Sequence, residues 1–176
     1  MNDFLKLAQE RVSYRGKYKC DPIPREDLTK IMQAGLAAPS GCNQQTTSLI
    51  AVDDPVLLDK IKAMFAKPVA ETAPAMICVL TKNTPSYRGI SYHVQDYSAA
   101  IKNMLLEIKD LGYDSCWYEG YVTNEAEVGK KIASLFNIPN DYDVVCVLPI
   151  GIAAETAKYA PKKSFEERAW FNGFKL

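Results

Sequence analysis

Apolar residues repeat at intervals of three and four along several segments of the chain, which predicts amphipathic helices. The longest such pattern covers residues 94–111 and ends at Gly112, a residue type that supplies a left-handed helix cap. Residues 2–13 carry the same spacing, and a further helix begins at Pro24. Helices therefore account for much of the first two thirds of the sequence.

Two further helix starts are indicated by their capping residues. Asp54 followed by Pro55 is typical of an N-cap with proline at the first helical position. Asn124 and Glu127 have the spacing of a capping box.

Short apolar runs between the helices predict buried strands. With 176 residues, the chain suits one domain that spans residues 1–176. The alternation of helices and strands predicts an α/β or α+β sandwich. The predicted strands are 47–52, 75–80, 115–122 and 144–152.

The charges of the chain are balanced, with 21 basic and 21 acidic side chains. We therefore expect no nucleic-acid partner and no binding to acidic lipid, since both need a net positive field. No apolar run approaches the roughly 20 residues of a membrane span, and the N-terminus lacks a secretory pattern. The expectation is a cytoplasmic protein without a membrane partner.

Candidate chemistry is limited by the few cysteine and histidine residues. The five cysteines contain no Cys-x-x-Cys pair, and His93 is the sole histidine, so we expect no metal site. Cys78 and Cys146 lie in apolar runs and are expected to be buried, whereas Cys42 lies in a loop. Gly-x-Gly-x-x-Gly and the Walker loop are both absent. Side chains must therefore hold any phosphorylated cofactor.

Arg11, Ser13 and Arg15 place two guanidinium groups and a hydroxyl within five residues. These donors suit a phosphate monoester, although a solvated basic helix end explains the same cluster. The loop 38–45 offers amides and a hydroxyl that could contact a heterocycle or only shape a turn. Gly120, at the end of a predicted strand, could bring backbone amides close to a flat ligand or simply form a turn.

The order of these motifs resembles the nitroreductase family. Arg-x-Ser-x-Arg stands at residues 11–15 and Ala-Pro-Ser-x-x-Asn-x-Gln at 38–45. Gly-x-x-x-x-Trp at 112–117 is followed by Glu119-Gly120, and the tail contains Lys162-Lys163. Each motif is loose alone, but their order and separations match across nearly the whole chain.

The resemblance implies an α+β fold in which helices flank a central, mostly antiparallel sheet. It also implies an FMN-binding homodimer, with flavin at the subunit interface and the C-terminal tail exchanged between subunits. The expected activity is hydride transfer from NADH or NADPH to a nitroaromatic, quinone or similar electrophile. A flavin-binding carrier or redox sensor with little turnover stays an alternative, and a non-flavin binding module is a third reading.

The resemblance also assigns residues to the flavin. The Arg11–Arg15 segment and a tail lysine would contact the phosphate and the pyrimidine side, and the loop 38–45 would come from the partner subunit to border the ring. The backbone near Gly120 would lie by flavin N5, and no protein residue is assigned a catalytic role because the flavin carries the chemistry. The predicted cofactor-binding residues are Arg11, Ser13, Arg15, Pro39, Ser40, Asn43, Gln45, Glu119, Gly120, Lys162 and Lys163.

The sequence departs from the common family pattern after Gln45, where Thr46-Thr47-Ser48 replaces a proline and an aromatic residue. This change alters the edge of the pocket, so the acceptor preference of relatives does not transfer. Residues 86–97 form either a pocket wall that influences acceptor choice or a set of core-packing tyrosines.

Overall fold

The structure is a computed structural model that describes residues 3–65, 70–123 and 127–174. The helices in these ranges are α1 (Asp3–Glu10), α2 (Arg25–Leu36), α3 (Pro55–Lys62), α4 (His93–Asp110), α5 (Gly120–Thr123) and α6 (Val128–Leu135).

Four strands form one sheet in which every pair of neighbours is antiparallel, in the order β1-β2-β4-β3. The two central strands pair Cys78 with Val147, and their register shifts by one residue after Val79. The strands are β1 (Thr47–Val52), β2 (Ala75–Thr81), β3 (Asp114–Ser115) and β4 (Asp143–Gly151).

Both central strands are almost completely buried, because helices cover both faces of the sheet. On one face, Ile77 and Leu148 pack with apolar residues of α2 and α4, including the fully buried Ile31 and Ile101. The opposite face packs against α3, α5, α6 and two tyrosines of the N-terminal segment, Tyr14 and Tyr18. The result is an α+β arrangement with three layers, as the sequence predicts.

Most predicted elements are confirmed with small differences at their ends. The predicted strand 47–52 is β1 without change, and the apolar pattern over 94–111 forms α4. Gly112 follows α4 with a φ of 85°. Asp54 caps α3, since its side chain accepts a hydrogen bond from the Leu57 N–H at 2.9 Å.

Two predictions about helix ends fare differently. The predicted helix over residues 2–13 ends earlier, at Glu10. In the predicted capping pair, Asn124 lies outside the described residues, while Glu127 stands directly before α6 with a φ of 54° and makes no capping hydrogen bond.

The predicted strand over 115–122 is wrong beyond its first residue. The chain leaves the sheet after Ser115, pairs once more with β4 where Tyr118 and Val147 exchange backbone hydrogen bonds, and then turns into α5. Alternating apolar residues in this segment are buried against the sheet without belonging to it, which gives the same pattern as a strand.

The predicted burial of two cysteines is confirmed. The side chains of Cys78 and Cys146 have no exposed surface. Burial raises the pKa of the Cys78 thiol to about 12, and burial also raises the pKa of Cys146. Both residues therefore act as small apolar core residues.

The tail after β4 forms no further helix or strand within the described residues. Its aromatic side chains are largely solvent-exposed, with Phe171 at 82% and Phe174 at 71%. Hydrogen bonds tie its first part to the N-terminal segment: the Ala154 N–H donates to the Lys17 carbonyl, the Glu155 N–H to the Tyr14 hydroxyl, and the Tyr159 hydroxyl to the Glu10 carbonyl. None of the helices described is both long enough and apolar enough to pass through a membrane.

The packing of α4 on the sheet predicts a large cost for truncating its core side chains. We expect Ile101→Ala to lower the free energy of unfolding by about 2–5 kcal/mol, because Ile101 is fully buried. Val56→Ala on α3 is the matched control, since Val56 is 63% exposed and its truncation should cost about 0.5 kcal/mol or less. Urea denaturation measures both values, and equal costs would contradict the described core.

Candidate functional site

The segment after α1 is held beside β3 by backbone pairing. The Tyr14 N–H donates to the Ser115 carbonyl at 2.9 Å, and Ser13 forms a parallel bridge with Ser115. This pairing buries Tyr14 and leaves Ser13 and Arg15 exposed on either side of it. The guanidinium of Arg15 makes one long hydrogen bond, of 3.4 Å, to the Ser13 carbonyl.

Arg11, Lys102 and Lys162 form a cation cluster that centres on Lys102. Lys102 projects from α4, and the positive charges of Arg11 and Lys162 both act on its ammonium group. Partial burial, followed by repulsion from these two charges, lowers the pKa of Lys102 below its usual value. Among the residues that the structure describes, neither Arg11, Arg15, Lys102 nor Lys162 forms an ion pair with a carboxylate. Like charges gathered without acidic partners form a site suited to an anion.

Lys102 is absent from the residues predicted for this site. Lys102 is far from Arg11 in the sequence. The two residues come together because α1, which ends directly before Arg11, packs on α4. One signal in the sequence does single out Lys102, because it is a cation within the mainly apolar middle of the longest predicted helix. Of the two predicted lysines of the tail, Lys162 acts electrostatically on Lys102, whereas no described contact involves Lys163.

The loop that contains Pro39, Ser40, Asn43 and Gln45 forms a tight turn of unusual backbone geometry. The residues of its turn Gly41–Asn43 include two with left-handed φ, and Gln45 is a third, at 48°. The Ser40 hydroxyl accepts a hydrogen bond from the Gln45 N–H at 2.9 Å, and the Gln45 amide lies 3.4 Å from the Asn43 Oδ1. Non-glycine residues adopt left-handed φ at a cost, so other contacts must hold this loop.

Asp96 supplies the main contacts that hold the loop. Its carboxylate is buried, accepts a hydrogen bond from the Gly41 N–H at 2.7 Å, and accepts another from the Thr46 hydroxyl at 2.7 Å. A cavity of about 160 Å³ lies between the loop and α4, and its lining includes Pro39 and Ser40 of the loop and Asp96 of the helix. The tight packing extends to Gly41, where a Cβ atom would lie 2.6 Å from the Cβ of Tyr92.

Of the two readings of residues 86–97, core packing is what the structure shows for Tyr97. Its ring is 5% exposed, and its hydroxyl donates to the Glu119 carboxylate at 2.7 Å. Burial, then the hydrogen bond to Glu119, raises the pKa of Tyr97 above its usual value. Residues 87–90 are different, because Tyr87 and Ile90 are each more than half exposed.

Glu119 and Gly120 stand where the chain turns into α5. The Glu119 carboxylate accepts hydrogen bonds from the Tyr97 hydroxyl and from the Trp117 indole, the latter at 2.8 Å. Both carboxylate oxygens of Glu119 are therefore hydrogen-bonded to other side chains of the protein. Gly120 borders open space, since no atom lies within 4 Å of where its Cβ would be. A flat ligand could lie directly against this part of the backbone.

The predicted residues fall into two groups. Arg11 and Arg15 both act electrostatically on the Cys116 thiol, which places them beside the segment that leads to Glu119 and Gly120. The loop of Pro39–Gln45 belongs to the other group and is joined to the first through α4. The two larger cavities, of about 450 and 590 Å³, lie around α6 and contain none of the predicted residues.

Comparison with known proteins identifies the family. The Nitroreductase family profile matches residues 8–76 and 59–152, so the chain belongs to the nitroreductase family. A relative from Archaeoglobus fulgidus, provisionally named an NADH dehydrogenase/NAD(P)H nitroreductase, is 34% identical over 86% of each chain. The family predicted from the motifs is thereby confirmed.

Solved structures agree with the fold. An FMN-dependent nitroreductase from Clostridium difficile superposes with a TM-score of 0.82 and 27% identity, covering 97% of this chain and 99% of that one. A nitroreductase with bound FMN from Bacteroides fragilis gives a TM-score of 0.76 at 27% identity, with the same coverage. The predicted nitroreductase-like fold is confirmed.

The repulsion among the cations leads to a prediction about stability. We expect Lys102→Met to raise the free energy of unfolding, because it keeps the aliphatic length and removes a charge that is penalised first by desolvation and then by repulsion from Arg11 and Lys162. A folded-state pKa below the unfolded value means that the penalty is fully present at neutral pH and is relieved only as pH rises through the folded pKa.

Lys109→Met on the same helix is the control. Lys109 pairs with Asp114 at 3.2 Å, so its loss should leave stability unchanged or lower it. Thermal melting at pH 7 and low salt measures both variants. Destabilisation by Lys102→Met would argue against a repulsive cluster.

Proposed function

We propose that this chain binds FMN and transfers hydride from NADH or NADPH to a nitroaromatic, quinone or similar electrophile. Membership of the nitroreductase family supports the reaction class, and the names of relatives include NAD(P)H nitroreductases and an FMN-dependent nitroreductase. The observation that carries the proposal is the cation cluster of Arg11, Lys102 and Lys162, which forms no ion pair with a carboxylate among the residues that the structure describes.

The residues present fit the chemistry of FMN. The cluster offers several fixed cations to a phosphate monoester that carries nearly two negative charges. Arg15 and the Ser13 hydroxyl are exposed beside it and can donate further hydrogen bonds. The open space at Gly120 allows an aromatic ring to approach the backbone.

FMN, when bound, supplies the hydride chemistry, and the protein supplies binding, orientation and electrostatics. Arg11, Arg15, Lys102 and Lys162 would bind the phosphate, and their positive charge would favour the negative charge that flavin gains on reduction. We assign no catalytic acid or base to the protein. His93 is held by the Ser91 hydroxyl at 2.8 Å from its Nδ1 and receives no role in the reaction.

The proposal includes a homodimer with the flavin at the subunit interface. The loop of Pro39, Ser40, Asn43 and Gln45 would border the flavin of the partner subunit, as the resemblance of its motif to the family implies. The exposed aromatic side chains of the tail support an exchanged tail, since such a set is typically covered by another protein surface.

Two further parts of the proposal concern the chain as a whole. We treat residues 1–176 as one FMN-binding domain. We also propose a cytoplasmic location, supported by the five cysteines, which all lie in described residues and form no disulfide there.

The visible spectrum of the purified protein with added FMN tests the function directly. A bound flavin spectrum that bleaches under anaerobic NADH or NADPH is the expected result. Bound flavin that resists both nucleotides would favour a carrier or redox sensor, and the absence of bound flavin would overturn the proposal.

The phosphate site predicts the effect of removing its cations. We expect Arg11→Ala and Arg15→Ala each to weaken FMN binding by about 1–3 kcal/mol, because each loses a charge-assisted contact. Lys102→Met should weaken binding as well, although it stabilises the flavin-free protein. Fluorescence titration with FMN measures the affinities.

Arg25→Ala is the matched control for these variants. Its guanidinium pairs with Asp53, with Nε at 2.6 Å from Oδ2, and belongs to no part of the proposed site. FMN affinities of Arg11→Ala and Arg15→Ala equal to that of this control would contradict the phosphate assignment.

The exchanged tail predicts the effect of two truncations. Removing residues 164–176 deletes the last aromatic residues but keeps Lys162 and Lys163. Removing residues 162–176 deletes the aromatic residues and the two lysines together. We expect both products to be monomeric and to lose FMN, because the site would be incomplete without the partner. Light scattering with flavin absorbance measures both properties, and a monomer that retains FMN would contradict the interface.

A further inference from the structure

Two consecutive residues at the start of α4 each hold one of the segments proposed to border the flavin ring. Asp96 binds the loop of Ser40–Gln45, and Tyr97 binds Glu119, which precedes Gly120. Consecutive helical residues project about 100° apart, so one helical turn can reach two separate segments.

Asp96 contributes two strong contacts to a loop that is costly to hold. The Gly41 N–H and the Thr46 hydroxyl each lie 2.7 Å from one of its carboxylate oxygens, at both ends of the turn that contains Cys42 and Asn43. Asp96 is 4% exposed, so its buried carboxylate needs these two donors as hydrogen-bond partners. Without these two hydrogen bonds, less would offset the cost of the left-handed φ values in the turn.

Tyr97 acts on the other segment through a carboxylate. Its hydroxyl binds Glu119 Oε1 at 2.7 Å, while the Trp117 indole binds Oε2 at 2.8 Å. Both carboxylate oxygens of Glu119 are therefore hydrogen-bonded within the protein. The backbone carbonyl of Glu119 accepts hydrogen bonds from the N–H groups of Val122 and Thr123. These bonds fix the turn at which Gly120 begins α5.

We propose that Asp96 and Tyr97 are positioning residues for hydride transfer, acting through Gly41 and Glu119 respectively. The inference depends on the proposed function, in which the loop would border the flavin of the partner subunit and the segment at Gly120 would border the flavin of its own subunit. Both residues are part of a helix whose following turns, at Ala100, Ile101 and Met104, are buried against the sheet. The sheet thereby sets the position of both segments through a single rigid turn.

Tyr97→Phe tests this role most selectively, because it removes one hydroxyl and leaves the ring in the core. Tyr113→Phe is the matched control, since the Tyr113 hydroxyl also donates to a carboxylate, Asp27, at 2.8 Å. The readouts are the melting temperature, FMN affinity, flavin midpoint potential and the rate of anaerobic flavin reduction by NADH or NADPH.

We expect the two Phe variants to melt at similar temperatures and to keep FMN affinity within a few-fold. Only Tyr97→Phe should shift the midpoint potential and slow flavin reduction, by about tenfold or more, because small errors in the position of reacting groups have large effects on rate. Equal potentials and equal reduction rates in the two variants would overturn the role of Tyr97.

Asp96 is tested by comparing two substitutions at the same position. Asp96→Asn keeps an acceptor for the Gly41 N–H and lets Thr46 reverse its hydroxyl, whereas Asp96→Ala removes both contacts. We expect Asn to retain most of the rate of flavin reduction and Ala to lose it. Asp54→Ala removes a comparable carboxylate contact, to the Leu57 N–H, and should lower stability without changing the rate.

The failure of this inference can be told apart from failure of the proposed function. If the wild-type protein binds no FMN, the proposed function and this inference both fall. If wild-type flavin is reduced by nicotinamide but Asp96→Ala reduces it at the rate of Asp54→Ala, only the role of Asp96 is overturned.

Discussion

The burial of β2 and β4 on both faces is the constraint on which the rest of the structure depends. Two apolar central strands need a cover on each side, and the chain supplies α2 and α4 for one face and α3, α5 and α6 for the other. This arrangement fixes α4 against the middle of the sheet. Because α4 is fixed, its first turn holds two segments in place through Asp96 and Tyr97, and its Lys102 lies within electrostatic reach of Arg11 and Lys162.

The candidate site is assembled from segments that are distant in sequence and short in themselves. Pairing with Ser115 places Ser13 beside β3, and the turn into α5 places Gly120 a few residues after the same strand. The electrostatics follow from this geometry, since cations brought together without carboxylates repel one another until an anion is bound. In the proposed phosphate site, the protein would give up some stability to keep these charges together, as functional sites commonly do.

The sequence predicts elements well where one periodicity dominates, as in β1, β2 and α4. It fails over 115–122, because Cys116 and Tyr118 are buried beside the sheet and mimic the alternation of a strand. Motif order identifies the family and the segments of the candidate site. Lys102 is missed, because its relation to Arg11 arises only from packing between helices. The hydrogen-bond partners of Asp96 cannot be predicted from the sequence either, since any nearby donor can bind a buried carboxylate.

The order of strands in the sheet also has a consequence for biosynthesis. β2 pairs along its whole length with β4, the last strand of the chain, and β3 depends on β4 for its pairing within the sheet. A nascent chain on the ribosome therefore carries β2, with its apolar surface, while residues 82–142 are added before the complementary strand is made. Non-local pairing of this kind slows folding and leaves strand edges open to other chains in the meantime.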